Sequence, residues 1–298
     1  LSRIFAISDI HVDYAANMNR VLGLSSFDFV DDLLIVAGDV SDSLTRLERV
    51  FSALKSKFAE VVFVPGNHEL WIRNDEFPSS IEKFFAVLEC CDNQGIHYKP
   101  VQFGSKNGVW IVPLFSWYRS DPDDLNTLFM AKEGEDNRRF RWGDDRFCRW
   151  PEEIRPPADW FSERNRKTVC RIYENPVLSV SHVLPRRELL FHDVDFARRF
   201  SDGTGMLPLH PKDPHPYFNF SRVAGCGMLE RDIRRLGSRM HVYGHQHRNR
   251  NRLIAGIQYV SHCLGNLKEQ ARKPKTDLEP LCIWNQGTWL EWDDRIDR

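Results

Sequence analysis

No apolar stretch in this chain approaches the roughly 20 residues needed to cross a bilayer. The longest, such as Leu33 to Ala37 and Val61 to Val64, are far shorter, so no membrane partner is expected. An excess of one charge is missing as well, since 41 Lys and Arg meet 42 Asp and Glu for a net charge of −1. Dedicated binders of long nucleic acid usually carry a strong basic excess, so that class loses its simplest support. A disulfide framework is equally poorly served. The seven cysteines are an odd number, Cys90 and Cys91 are adjacent, and no CxxC pair occurs. That pattern argues against a structural zinc site and for a reducing compartment, the cytoplasm or an organelle stroma. Internal repeats and low-complexity tracts are absent, and no signal-like segment stands at the start. Because the first residue is Leu1 and not Met, a leader removed before it stays an open matter.

The 298 residues are 42% hydrophobic and 28% charged, ordinary values for a chain that buries a sizeable core. Short apolar runs read as strands over Arg3 to Ser8, Leu33 to Ala37, Val61 to Val64, Val109 to Leu114, Val177 to Ser181 and Met240 to Tyr243. Between the second and third, Leu44, Leu47, Val50, Phe51, Leu54 and Phe58 recur at helical spacing, with Ser41 or Asp42 expected to cap the start. A second helix is expected over Ser80 to Cys90. The tail returns to strand at Ile257 to Ser261, Leu281 to Trp284 and Thr288 to Trp292. Strands alternating with helices imply an α/β fold. The whole of 1–298 reads as a single domain carrying insertions at about 119–170 and 193–222, which show no clean periodicity and would form a cap.

Polar residues of metal-ligand type end these strands one after another. Asp9 and His11 follow the first, Asp39 the second, Asn67 and His68 the third; His182 follows the Val177 strand, and His245 and His247 follow the Met240 strand. Ligands of open α/β sheets bind outside the carboxyl ends of strands, where such side chains converge. Asp9 and His11, like His245 and His247, are two apart, which puts each pair on one side of an extended backbone. Any one of these pieces is an ordinary turn, cap or buried histidine. Their ordered conjunction is what points to a site. Oxygen ligands mixed with imidazoles suit divalent Mn, Fe, Zn or Mg.

The order Asp9-Ile10-His11, Gly38-Asp39, Gly66-Asn67-His68-Glu69, Ser181-His182 and Gly244-His245-Gln246-His247 resembles the calcineurin-like metallophosphoesterase superfamily. The resemblance implies a four-layer fold, a β-sandwich of two mixed sheets flanked by helices. It also implies two divalent metal ions, with Mn favoured. Asp9, His11 and His247 would hold one and Asn67, His182 and His245 the other, with Asp39 bridging. A shared hydroxide would then attack phosphorus while His68, free of metal, protonates the leaving group. Asp42, three residues beyond Asp39, is at the offset where related phosphatases place an aspartate that orients this histidine; a helix N-cap is its other reading.

Departures from the pattern narrow the substrate. Asp42 is followed by Ser43 and Leu44 instead of Arg-Gly, which weakens a phosphoprotein phosphatase. No tyrosine stands beside Asp39, against a purple acid phosphatase, and the long segments of the repair nucleases are lacking. The expectation is a hydrolase of a small phosphomono- or diester, nucleotide-like in character. A DNA or RNA nuclease, a phosphoprotein phosphatase and an inactive binding scaffold are the alternatives. Arg186, Arg187, Arg248 and Arg250 are candidate phosphate contacts, the other reading of each being a solvated charge. Trp142, Trp150 and Trp160 would stack on a base or form a small core of their own.

Overall fold

Strand alternation sorts the apolar residues into layers. In β1 (Arg3–Ile7) Ile4 and Ala6 face one way and Phe5 and Ile7 the other; β2 (Leu33–Val36) and β3 (Glu60–Phe63) divide in the same manner. The computed structural model describes residues 2–73, 76–104, 108–136, 138–139, 141–191, 206–208, 215–274 and 279–291. Among these, β10 (Leu281–Asn285) and β11 (Thr288–Trp289) complete a first sheet in the order β11-β10-β1-β2-β3, with β1, β2 and β3 parallel. A second sheet runs β4 (Val101–Phe103), β5 (Val109–Pro113), β6 (Val177–Val180), β7 (Ser238–Tyr243), β9 (Ile257–Ser261), β8 (Arg250–Ile254). Its four central strands, β5, β6, β7 and β9, are parallel.

The two sheets face each other through a dry layer in which Ile4, Leu33, Ile35 and Val62 meet Ile111, Leu178, Val180 and Val242. Fully burying one such side chain is worth roughly 1.5–3 kcal/mol. On the far face of the first sheet pack α1 (Ala15–Leu22), α2 (Leu44–Lys55) and α3 (Ser80–Gln94). Leu229 and Ile233 of α6 (Gly227–Arg235) cover the second sheet, giving the four-layer sandwich the resemblance implies. No helix among the described residues is long and apolar enough to cross a membrane. All seven cysteines are free of disulfides.

Some expectations need correction. The cap of α2 is Ser43, whose side chain accepts from Arg46 N–H; neither Ser41 nor Asp42 takes that role. The segment 119–170 is not structureless: it holds α4 (Gly143–Phe147) and α5 (Pro157–Val169). Helical spacing was present in α5 at Ala158, Phe161, Asn165 and Val169, but a polar residue interrupts the stripe. Asn165 is buried because its amide bonds both backbone groups of Phe115. Trp117, Trp150 and Phe161 pack into a satellite core with Phe84 and Trp160, the core reading of that aromatic cluster. The last strand ends at Trp289, and Trp292 lies outside the described residues. So does most of the 193–222 segment, His210 included.

Candidate metal centre

Parallel strands of both sheets deliver their carboxyl ends to one edge of the sandwich, and the site is built there. The backbone leaving those strands is unusual. Asp9, His11, Asp39, His245 and His247 all have positive φ, between 45° and 72°. Left-handed backbone is uncommon for residues with a side chain, and such strain clusters at functional sites. It also corrects the idea that extended alternation aims each pair, since these turns do the aiming. Backbone bonds lock them, with Asp9 N–H on Gly38 O at 2.9 Å and His11 N–H on Asp39 O at 3.0 Å. Close approach explains Gly66 too: a Cβ there would lie 2.2 Å from Asp39 Oδ1.

The ligand-type atoms fall into two groups that share Asp39. Asp9, His11, Asp39 and His247 form one, Asp39, His182 and His245 the other, and within each group these atoms lie within 4.8 Å of one another. Asn67 joins the second, its Oδ1 at 3.0 Å from His245 Nδ1 and 3.1 Å from His182 Nε2. In the first, His11 Nε2 stands 2.9 Å from His247 Nε2. The outward ring nitrogens are already engaged: His182 Nδ1 with Ala37 O at 2.8 Å, His245 Nε2 with Val223 O at 2.8 Å and His247 Nδ1 with Glu269 at 3.0 Å. With its Nε2 proton on Val223 O, His245 turns the Nδ1 lone pair toward Asn67 Oδ1, an oxygen-nitrogen pairing that a cation between them would satisfy. Outward bonds of this kind orient metal-bound imidazoles. The donor set fits two divalent cations.

Electrostatics follow the crowding. Burial works against the charge of Asp39, yet His182, His68 and His11 hold its carboxyl well below the usual carboxylate range. Burial opposes the charge of His182 as well, but Asp39 overcomes it and pushes the imidazole up to about 10. His245, desolvated beside His182, drops to about 4. Burial likewise takes His68 well below the ordinary histidine value, against the pull of Asp39. His68 stacks on Trp71 with ring centroids 3.6 Å apart, and its Nε2 is 3.9 Å from Asp39 Oδ2.

Two cavities open from this centre. One of about 660 Å³ has an apolar wall of Met130, Trp142, Leu190, Phe191, Phe218 and Phe220. The other, about 400 Å³, is charged, with Asp13, Asp42, Arg46 and Arg73. His68 and His247 line both.

The remaining expected residues are less central. The carboxylate of Asp42 is paired with Arg73, and no hydrogen bond joins it to His68. Arg186 is tied up by Glu188 and Glu230, which hold its guanidinium charged against burial. Arg187 donates to Thr127 O at 2.8 Å, and Arg250 is buried within β8 beside Asn249 O, so these three serve packing. Arg248 alone of the four lines the larger cavity, and it is exposed.

Several residues escaped the sequence reading. Glu69 is fully buried and accepts four backbone N–H groups, those of Asp39, Val40, Ser41 and Gly66, stapling two ligand loops together. Burial and the neighbouring Asp39 raise its carboxyl to about 7, against those bonds. Its place directly after His68 was the available signal. Asp144, beside Asp145 and outside the motifs, gave none, and neither did Glu269, which stands in a basic stretch beyond the last motif.

The calcineurin-like phosphoesterase family profile matches residues 2–249. A curated relative, the [acyl-carrier-protein] phosphodiesterase PptH of Mycobacterium tuberculosis, is 28% identical over 93% of this chain and 82% of its own length. The crystal structure of the phosphopantetheinyl hydrolase PptH from Mycobacterium tuberculosis superposes with a TM-score of 0.71 at 23% identity, covering 94% of this chain and 95% of that one.

Proposed function

Because the chain belongs to the calcineurin-like phosphoesterase family, we propose that this metallophosphoesterase is a phosphodiesterase whose substrate is a phosphopantetheine-like arm esterified to a carrier protein. The observation that carries the diester reading is the pair of cavities flanking one ligand cluster. A phosphodiester has a substituent on each side of phosphorus, and a monoester would leave one side unused. The apolar wall of the larger cavity suits a flexible, largely uncharged arm, and the charged smaller one suits the surface of a protein. The relative named as an acyl-carrier-protein phosphodiesterase supports the same class. A nucleotide is the second reading, and we rank it lower because one face of Trp142 is already stacked on Phe218, 5.2 Å away.

In this reading Asp9, His11 and His247 would hold one cation, Asn67, His182 and His245 the other, and Asp39 both. When bound, two divalent cations supply charge stabilisation of the phosphate and a water acidified enough to attack near neutral pH. The chain's own residues do the rest. Glu69 keeps the Asp39 and Asn67 loops in register. His68 faces both cavities, so it can reach an ester oxygen on the departing side. One P–O bond would form to water, which gives up a proton to solvent, and the one to the departing alkoxide would break; the alkoxide takes its proton from His68, as general acid, and solvent reprotonates the ring. Burial, with the neighbouring imidazoles of His11, His247 and His182, lowers the proton affinity of His68, and the negative charge of an arriving phosphodiester raises it.

Intact mass spectrometry of a phosphopantetheinylated carrier protein incubated with Mn and this enzyme tests the proposal. Loss of the entire phosphate-containing arm, leaving an unmodified serine, is the expected result. An unchanged carrier beside rapid hydrolysis of nucleotides or of long nucleic acid would replace it with those readings.

A further inference from the structure

The inserted segment 119–170 contributes a carboxylate whose described partners are all donors. Asp144, in the first turn of α4, is 3% exposed. Its Oδ1 accepts Asn67 Nδ2 at 2.8 Å and Trp71 Nε1 at 2.5 Å, and its Oδ2 accepts Trp142 Nε1 at 2.7 Å. The Tyr118 hydroxyl lies near enough to the same carboxylate for each to shift the other's proton affinity. A carboxylate can accept about four hydrogen bonds, so the three amide and indole donors suit it. The local backbone is fitted to them also, because a Cβ on Gly143 would lie 2.6 Å from the Trp71 ring.

Asn67 needs this. An asparagine amide can present either its oxygen or its nitrogen to a cation, and only the oxygen coordinates. With Nδ2 donating to Asp144, the oxygen is the end that faces His182 and His245. The same carboxylate fixes Trp71, the ring on which His68 stacks.

We propose that Asp144 is a positioning residue for the metal centre, holding the Asn67 amide oxygen inward and setting Trp71 beneath His68. The proposal rests on the reading of Asn67 as a ligand. It gives the insertion a part in the chemistry beyond lining the cavity.

Manganese titration of the full chain, with free Mn²⁺ followed by electron paramagnetic resonance and folding checked by circular dichroism, separates the possibilities. Wild type is expected to bind two ions in two steps. In Asp144→Ala one step weakens by about 10–100-fold, the usual cost of losing an outer partner of a ligand, and the other is unchanged. Asp144→Asn binds at that step more tightly than Asp144→Ala, since its oxygen can still accept from Asn67 and Trp71, although its new amide cannot accept from Trp142. Where Asp144→Ala does not fold, the exchange Asn67→Asp with Asp144→Asn carries the test. That pair restores a donor–acceptor contact and is expected to bind the second ion more tightly than Asn67→Asp alone. Two unchanged steps in Asp144→Ala would overturn the proposal. So would equal weakening of both steps without recovery in Asp144→Asn, or an exchange pair no better than its single parent. Failure of the wild type to bind two ions would instead count against the ligand assignment itself.

Discussion

The strand-end residues and those of the 119–170 segment reach the same centre by different means. Asp9, Asp39, Asn67, His182 and His245 sit directly after buried strands whose neighbours leave them little room. Asp144 and Trp142 come from a segment of short helices, held by an aromatic satellite core and by hydrogen bonds to the strand-end groups. The scaffold thus supplies the ligand-type side chains, and the insertion supplies a carboxylate that bonds one of them and part of a cavity wall. Substitutions in the first region should abolish chemistry, and those in the second should grade metal affinity and substrate choice.

His68→Ala should show the largest effect, a fall in kcat of about 10²–10⁴-fold, the range for a general acid. The loss should shrink for a nitrophenyl diester, whose leaving group needs no proton. Equal losses on good and poor leaving groups would assign His68 another role. Glu269→Ala comes next, weakening one manganese step by roughly 10–100-fold through the His247 ring it orients. An unchanged titration would remove Glu269 from the account.

In the second insertion, which shares the cavity wall, Phe218→Ala should raise KM about tenfold for a long-armed diester, within the roughly 1–3 kcal/mol range for apolar pocket contacts. It should leave kcat alone and spare a short methyl diester. A kcat effect on both would mean that the wall supports the centre itself.

The smallest effect tests the scaffold's interior. His241 is fully buried between the Ser179 and Ser181 hydroxyls, and desolvation takes its pKa down to about 3. The unfolded chain therefore binds this proton first as pH falls below about 6.5, and native stability drops by about 1.4 kcal/mol for each unit toward 3. Between pH 6.5 and 5.5 wild type should lose about 1 kcal/mol more than His241→Gln in denaturant melts. Parallel losses would mean that His241 does not titrate on unfolding.

The same division decides what could be read in advance. Buried parallel strands are continuous apolar runs, so their ends, and the Asp, Asn and His placed there, stand out along the chain. The fold and the grouping of the ligand-type residues were legible for that reason. Asp144 was not, because nothing local separates it from Asp145; two of its partners, Asn67 and Trp71, come from more than 70 positions away. Three of the four arginines misled for a related reason. Arg186 follows a motif histidine, yet Glu188 and Glu230 claim it, and the Glu230 pairing arises only in three dimensions. Asp42 was drawn off by Arg73 in the same way.

The central claim is that Asp39 joins two cation sites that work as one. Manganese stoichiometry measured alongside hydrolysis of a phosphodiester tests it most directly. The account predicts two ions per chain in wild type, with turnover appearing as the second binds, and neither full occupancy nor turnover in Asp39→Ala. Full turnover with one ion bound, or in metal-stripped protein kept in chelator, would contradict it.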